Sequence, residues 1–115
     1  MKLHTQHRVT ANDCGHITRI IDMRKALGGI DILVCNAGIT GQPGPFASVD
    51  MDDFDRVMAV NLRSQVVLCK LALPHIANAG GGAVILMSSI SALRGNAAIS
   101  AYALSKAGVS QLARN

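Results

Sequence analysis

Ile30-Asp31-Ile32-Leu33-Val34-Cys35 is a short apolar run that ends on Asn36-Ala37-Gly38. Ala83-Val84-Ile85-Leu86-Met87 is a second run, bounded by Gly80-Gly81-Gly82 and by Ser88-Ser89. Neither alternates cleanly between apolar and polar positions, which is the pattern of a strand buried on both faces, as in a parallel sheet. Parallel neighbours need a crossover connection, normally a helix, and the residues between the runs supply one. Asp50, Asp52, Asp53 and Asp55 crowd one point, where carboxylates complement the positive end of a helix. Phe54, Val57, Met58, Leu62, Val66, Cys69 and Leu73 then follow as a wide apolar stripe. Pro74 should bend or end this helix close to its last turn. The sequence therefore predicts adjacent parallel strands at 30–35 and 83–87, joined through a right-handed crossover by a helix over most of 51–77.

Outward from this unit, Asn12 or Asp13 can cap an earlier helix carrying Ile17, Ile20, Ile21 and Leu27, with Gly28-Gly29 as its stop. A last apolar-rich helix runs from about Ser100 to Arg114. With no internal repeat and no low-complexity linker, the order is helix, strand, helix, strand, helix in one continuous segment. In open sheets of this kind ligands bind outside the carboxyl ends of the strands. Chemistry is to be sought at Asn36-Ala37-Gly38 and at Ser88-Ser89.

Composition narrows the function classes. The 115 residues suit about one domain. Half are apolar and 16% charged, too apolar for a disordered tail. No uninterrupted apolar run approaches a membrane span, and the start Met1-Lys2-Leu3-His4-Thr5-Gln6-His7 has no signal-peptide core. A cytoplasmic protein without a membrane partner is expected. The net charge is +4, and all seven acids are Asp. One Tyr, two Phe and no Trp offer no platform on which bases could stack, so no nucleic-acid partner is expected. Cys14, Cys35 and Cys69 form no C-x-x-C pair and read as buried free thiols. His4 and His7 have no ligand cluster nearby, and no metal site is expected.

Four polar residues can converge on the strand-end edge. Tyr102 and Lys106, four apart in the last helix, share a face. An ammonium near a phenol favours the phenolate, and such a Tyr can act as general acid or base on an alcohol/carbonyl pair. Ser89, just after the second strand, can donate to a carbonyl oxygen that becomes an alkoxide. Asn61 is a polar amide in an apolar helix and needs a partner. Each also has a plainer reading: Tyr102 as a packed residue with its hydroxyl at the rim, Ser88-Ser89 as turn chemistry, Asn61 as the partner of a backbone group at a kink, and Asn36-Ala37-Gly38 as an ordinary turn.

Taken together, these elements resemble the classical short-chain dehydrogenases/reductases, from about Arg8 to Asn115. Asp31-Ile32-Leu33-Val34-Cys35-Asn36-Ala37-Gly38 is similar to the family's N-A-G segment, and Val60-Asn61-Leu62 to the segment holding its catalytic Asn. Met87-Ser88-Ser89 and Tyr102-Ala103-Leu104-Ser105-Lys106 are similar to its catalytic Ser and Y-x-x-x-K. The spacings agree, thirteen from Ser89 to Tyr102 and 41 from Asn61 to Tyr102. The resemblance implies an α/β fold with a partial Rossmann-like, doubly wound parallel sheet. It implies hydride transfer between NAD or NADP and a small alcohol or ketone.

In that scheme Tyr102 exchanges a proton with the substrate oxygen. Lys106 lowers the Tyr102 pKa and bonds the nicotinamide ribose. Ser89 binds and polarises the substrate, Asn61 holds a relay water, and Asn36, Ala37 and Gly38 line the cofactor cleft. The family's G-x-x-x-G-x-G turn has no match before Ile30, and its substrate loop lies past a Tyr/Lys helix. Residues 1–115 therefore resemble the central part of one NAD(P)-binding domain, a homo-oligomer when complete. A catalytically silent piece that associates through its helices, and an extended-type sugar-nucleotide epimerase, are the alternatives. The N-A-G segment and the Ser89 spacing favour the classical branch over the epimerase.

Overall fold

The computed structural model describes residues 25–26 and 28–115. Strand β1 (Ile32–Cys35) pairs in parallel with strand β2 (Ala83–Leu86), in the register Ile32↔Ala83 to Cys35↔Leu86. Between them lie helix α1 (Met51–Met58), a π-helical segment (Ala59–Arg63) and helix α2 (Ser64–Asn78). Helix α3 (Ser100–Leu112) follows β2. Single 3-10 turns at Phe46–Ser48 and Ile90–Ala92 fill the loops. The strands are thus parallel and joined by helix, as the apolar runs predict. The earlier helix from Asn12 or Asp13, Cys14, and the His4–His7 pair lie outside the described residues, apart from helical Lys25 and Ala26. Gly28, placed as that helix's stop, takes φ +77, the left-handed conformation of a helix C-cap.

The acidic cluster does what its position suggests. Asp50 caps α1, its Oδ1 accepting from the Asp52 N–H at 2.9 Å, and Asp52 and Asp53 occupy the first turn. Pro74 lies inside α2, and the helix ends four residues later at Asn78. Where β2 starts, a Cβ on Gly82 would overlap the Asp31 carbonyl oxygen, which accepts from Ala83 N–H at 3.0 Å. Only glycine lets the second strand enter the pair there.

Two burial expectations are corrected. Among the described residues one face of the pair is covered: Leu33, Cys35, Val84 and Leu86 turn inward, whereas Ile32, Val34, Ala83 and Ile85 are exposed. Among the described residues α2 packs on one face of the pair, so the apolar run is continuous while its burial alternates. The helical stripe is also rotated. Val57, Asn61, Gln65, Cys69, Ala72 and Ile76 are buried, while Val66 and Leu73 are exposed. A π turn holds more residues than an α turn. The Ala59–Arg63 segment therefore advances the inward face and brings two amides to the core side. The centre of the core is Val57, Ala72 and Val109, with no exposure.

The helical run Met51–Asn78 has an 18-residue window of mean hydropathy 1.2 and passes the length and composition test for a membrane span. Asn61, Arg63, Gln65 and Lys70 interrupt the stretch, so it is not one continuous apolar run. Its first turns carry Asp52, Asp53, Asp55 and Arg56, and its inward face packs on α3 and the strands. A core helix uses the same composition in this way.

Candidate functional site

Both strands end on the same edge, and α3 passes beside it. The Lys106 side chain is 4% exposed. Its Nζ donates to the Met87 carbonyl at 2.7 Å and lies 5.7 Å from the centroid of the Tyr102 ring. One helical turn separates the two residues, so the ammonium and the phenol ring share a face as their spacing predicts. An ammonium has three N–H donors, and one is spent on Met87 among the described residues. Ser88 fixes the same junction from the other side: its Oγ donates to the Lys106 carbonyl at 2.9 Å and meets Ser110 Oγ at 2.6 Å.

Gly38 marks where the two strand ends meet the helices. A Cβ there would lie 3.3 Å from Lys106 Nζ and 3.5 Å from Asn61 Oδ1. Asn61, Lys106 and the end of the Asn36-Ala37-Gly38 segment are therefore neighbours. Asn36 and Gly38 are exposed and Ala37 is half-buried. Asn61 is fully buried in the π-helical segment. Its Oδ1 accepts from Ile39 N–H at 2.8 Å, and its Nδ2 donates to the Ile39 carbonyl at 2.8 Å and to Ser105 Oγ at 3.0 Å. Ser105 Oγ in turn donates to the Tyr102 carbonyl at 2.7 Å. The partner that the sequence demanded for Asn61 is thus the loop after β1 on one side and α3 on the other.

Ser89 caps the 3-10 turn Ile90–Ala92, its Oγ accepting from Ser91 N–H at 3.2 Å. Because that bond uses a lone pair, the hydroxyl proton stays free to donate. An open groove lies on a different face of α3, lined by Phe46, Leu93, Arg94, Ser100, Leu104 and Ala107 among others. Neither Tyr102 nor Lys106 borders it, so this groove and the polar cluster are separate features. Cys35 and Cys69 are buried free thiols, as expected. Burial first, then Cys69, pushes the Cys35 thiol up to about 12. Burial also raises Cys69, against an opposing hydrogen bond from Cys35. Both stay protonated and unreactive at neutral pH. No group of three or more His, Cys or Asp side chains is placed to hold a metal ion among the described residues.

Sequence reasoning missed three members of this cluster. Ser105 lies between Tyr102 and Lys106, where the Y-x-x-x-K pattern leaves its identity open. Ser88 stands next to Ser89, and nothing local in the sequence points to its partners Lys106 and Ser110. Gln65, 1% exposed and bonded through Nε2 to the Asn61 carbonyl at 2.9 Å, has a signal only in retrospect: it stands four residues after Asn61.

Comparison with known proteins supports one family. A family model described as short chain dehydrogenase matches residues 9–115. The chain is 40% identical over 90 residues to 2-(R)-hydroxypropyl-CoM dehydrogenase of Xanthobacter autotrophicus, covering 76% of this chain and 36% of that protein. It is 39% identical over 88 residues to the NAD(+)-dependent 2-dehydro-3-deoxy-L-rhamnonate dehydrogenase of a Sphingomonas species, covering 76% and 35%. The structure superposes on that of levodione reductase with a TM-score of 0.83 and 32% identity, over 86% of this chain and 38% of that one. The chain thus spans little more than a third of the length of these relatives. With its parallel strands, helical crossover and matched segment, it belongs to the short-chain dehydrogenase family.

Proposed function

We propose that this segment is the central part of an NAD(P)-dependent oxidoreductase that interconverts a small-molecule alcohol and ketone. The complete protein would be a cytoplasmic homo-oligomer. The observation that carries the reading is the placement of a buried Lys106 ammonium 5.7 Å from the Tyr102 ring and beside Gly38 at the end of β1. A buried ammonium is costly unless it is paired or put to use. Met87 accounts for one of its donors, and the remaining two suit the hydroxyls of a ribose. The small residues Asn36, Ala37 and Gly38 allow a flat ligand to approach the same point. These residues fit the nicotinamide-ribose end of such a cofactor. NAD is the cofactor named for the rhamnonate dehydrogenase and for a xylitol dehydrogenase structure, matched at a TM-score of 0.80 and 26% identity.

When bound, the nicotinamide supplies the acceptor or donor of a hydride. Tyr102 takes the hydroxyl proton at its phenolic oxygen during oxidation and returns it during reduction. Lys106 would hold the ribose through its remaining N–H donors. Ser89 donates its free hydroxyl proton to the substrate oxygen, where charge develops. Asn61 has both Nδ2 protons committed, so a relay water would bind at the remaining acceptor site of Oδ1, on the side near Lys106.

Tyr102→Phe in the native full-length polypeptide tests this, with turnover followed by nicotinamide absorbance and cofactor affinity by calorimetry. Turnover should fall by about 10³-fold or more with cofactor affinity nearly unchanged. Lys106→Ala should damage both. Near-normal turnover in Tyr102→Phe would make Tyr102 a packing residue and remove the catalytic assignment.

A further inference from the structure

The π-helical segment leaves its carbonyls out of step with the amides that follow. Ser64 N–H bonds to the Ala59 carbonyl, five residues back. The Ser64 hydroxyl donates to the Val60 carbonyl at 2.6 Å, and Gln65 Nε2 donates to the Asn61 carbonyl at 2.9 Å. Two consecutive side chains thus bond back to carbonyls of this segment, each across four residues. Gln65 does so at a cost. It is 1% exposed, and its Oε1 has no hydrogen-bond partner among the described residues. An apolar side chain of like volume would avoid an orphaned amide oxygen. Packing alone gives no reason for a glutamine here.

We propose that Gln65 is a positioning residue for Asn61. Its amide holds the Asn61 carbonyl, and with it the helical register that aims the Asn61 carboxamide at Ile39 and Ser105, beside Lys106. The effect on catalysis rests on the function proposed above; the effect on Asn61 does not. Gln65→Met keeps the bulk and removes both polar atoms. Gln65→Thr restores a donor, because a Thr hydroxyl can bond back to the carbonyl four residues earlier, as that of Ser64 does.

In the native full-length polypeptide, Gln65→Met should shift the Asn61 side-chain amide resonances in NMR spectra. It should lower kcat about five- to tenfold, the worth of one lost hydrogen bond, at unchanged KM. Its melting temperature should change little, since losing the orphaned oxygen offsets losing the bond to the Asn61 carbonyl. Gln65→Thr should restore both the resonances and kcat. Should Gln65→Met fail to fold, Gln65→Val replaces it, differing from Gln65→Thr by one hydroxyl at equal shape. Unmoved Asn61 resonances in the apolar variant, or equal loss in the apolar and Thr variants, would overturn the proposal. Absence of turnover in the wild type would instead overturn the proposed function, and the Asn61 resonances would still decide the role of Gln65.

Discussion

The two strand ends lie side by side on one edge of the sheet, yet they are tied to the helices in opposite ways. At the end of β2 the tie is immediate. Met87 accepts from Lys106, and Ser88 bonds the Lys106 carbonyl and Ser110. At the end of β1 the tie comes later. Asn36, Ala37 and Gly38 form no side-chain hydrogen bond among the described residues, and the first anchors are Asn61 on Ile39 and Asp53 on Gln42. One end is clamped to α3, and the other is left open and small and is held only beyond the opening. The clamped end sets where Tyr102 and Lys106 stand; the open end leaves Asn36 and Gly38 accessible beside them.

The sharpest way to break this comparison is to remove the anchor that joins the two sides. Asn61→Ala deletes three hydrogen bonds and strands the Ile39 amide and carbonyl. A buried group left unsatisfied costs about 1–3 kcal/mol, so the expected loss of stability is about 3 kcal/mol by urea denaturation. Ile39 and its neighbours should also lose protection from amide hydrogen exchange. If Asn61→Ala cost no more than an ordinary surface change, the opening after β1 would be held by something other than Asn61.

A smaller effect is expected at the clamped end. Ser88→Ala removes one bond to the Lys106 carbonyl and one to Ser110, while Lys106 Nζ keeps its own bond to Met87. The expected cost is about 1 kcal/mol, the net worth of a typical hydrogen bond, again by urea denaturation. A loss matching that of Asn61→Ala would mean that the clamp depends on Ser88 more than on Lys106.

Much of this arrangement is legible in the sequence, for reasons that differ by element. The strands announce themselves because Ile32–Cys35 and Ala83–Leu86 are apolar runs closed by glycine and serine, and Asp50 to Asp55 mark a helix start by charge. Tyr102 and Lys106 are legible because helical spacing is local. Tertiary coverage is not. Ile32, Val34 and Ile85 are as apolar as the buried positions, and their exposure depends on which layers lie against the sheet. The helix phase is hidden because the extra residue in the Ala59–Arg63 turn leaves no mark in composition. It moved burial from Val66 and Leu73 to Gln65, Ala72 and Ile76. Ser105 and Ser88 were hidden because a serine's partner, unlike a leucine's, is set by one hydrogen bond across the fold.

The weakest tie should be the outermost one, and pH can expose it. Asp53 accepts from Gln42 N–H at 2.6 Å and from Arg56 Nη2, two groups that favour the charged carboxylate. The Gln42 hydrogen bond first, then that of Arg56, holds the carboxyl below its ordinary value of 3.8. A carboxyl depressed in the folded state lends stability that is fully present above its unfolded value and is lost as pH falls through the folded value. Asp53→Asn keeps an oxygen for Gln42 but loses the charge, and Arg56 is largely exposed, where ion pairs contribute little. At neutral pH the variant should therefore shift the urea midpoint less than Ser88→Ala does. The gap to wild type should close as pH drops below 3.8, because protonation then makes the two side chains alike in charge. Added salt should narrow it at neutral pH, since the Arg56 contribution is screened. A gap that persists unchanged in acid would mean that Asp53 holds the loop by shape alone, and that the open strand end has no electrostatic anchor at its far side.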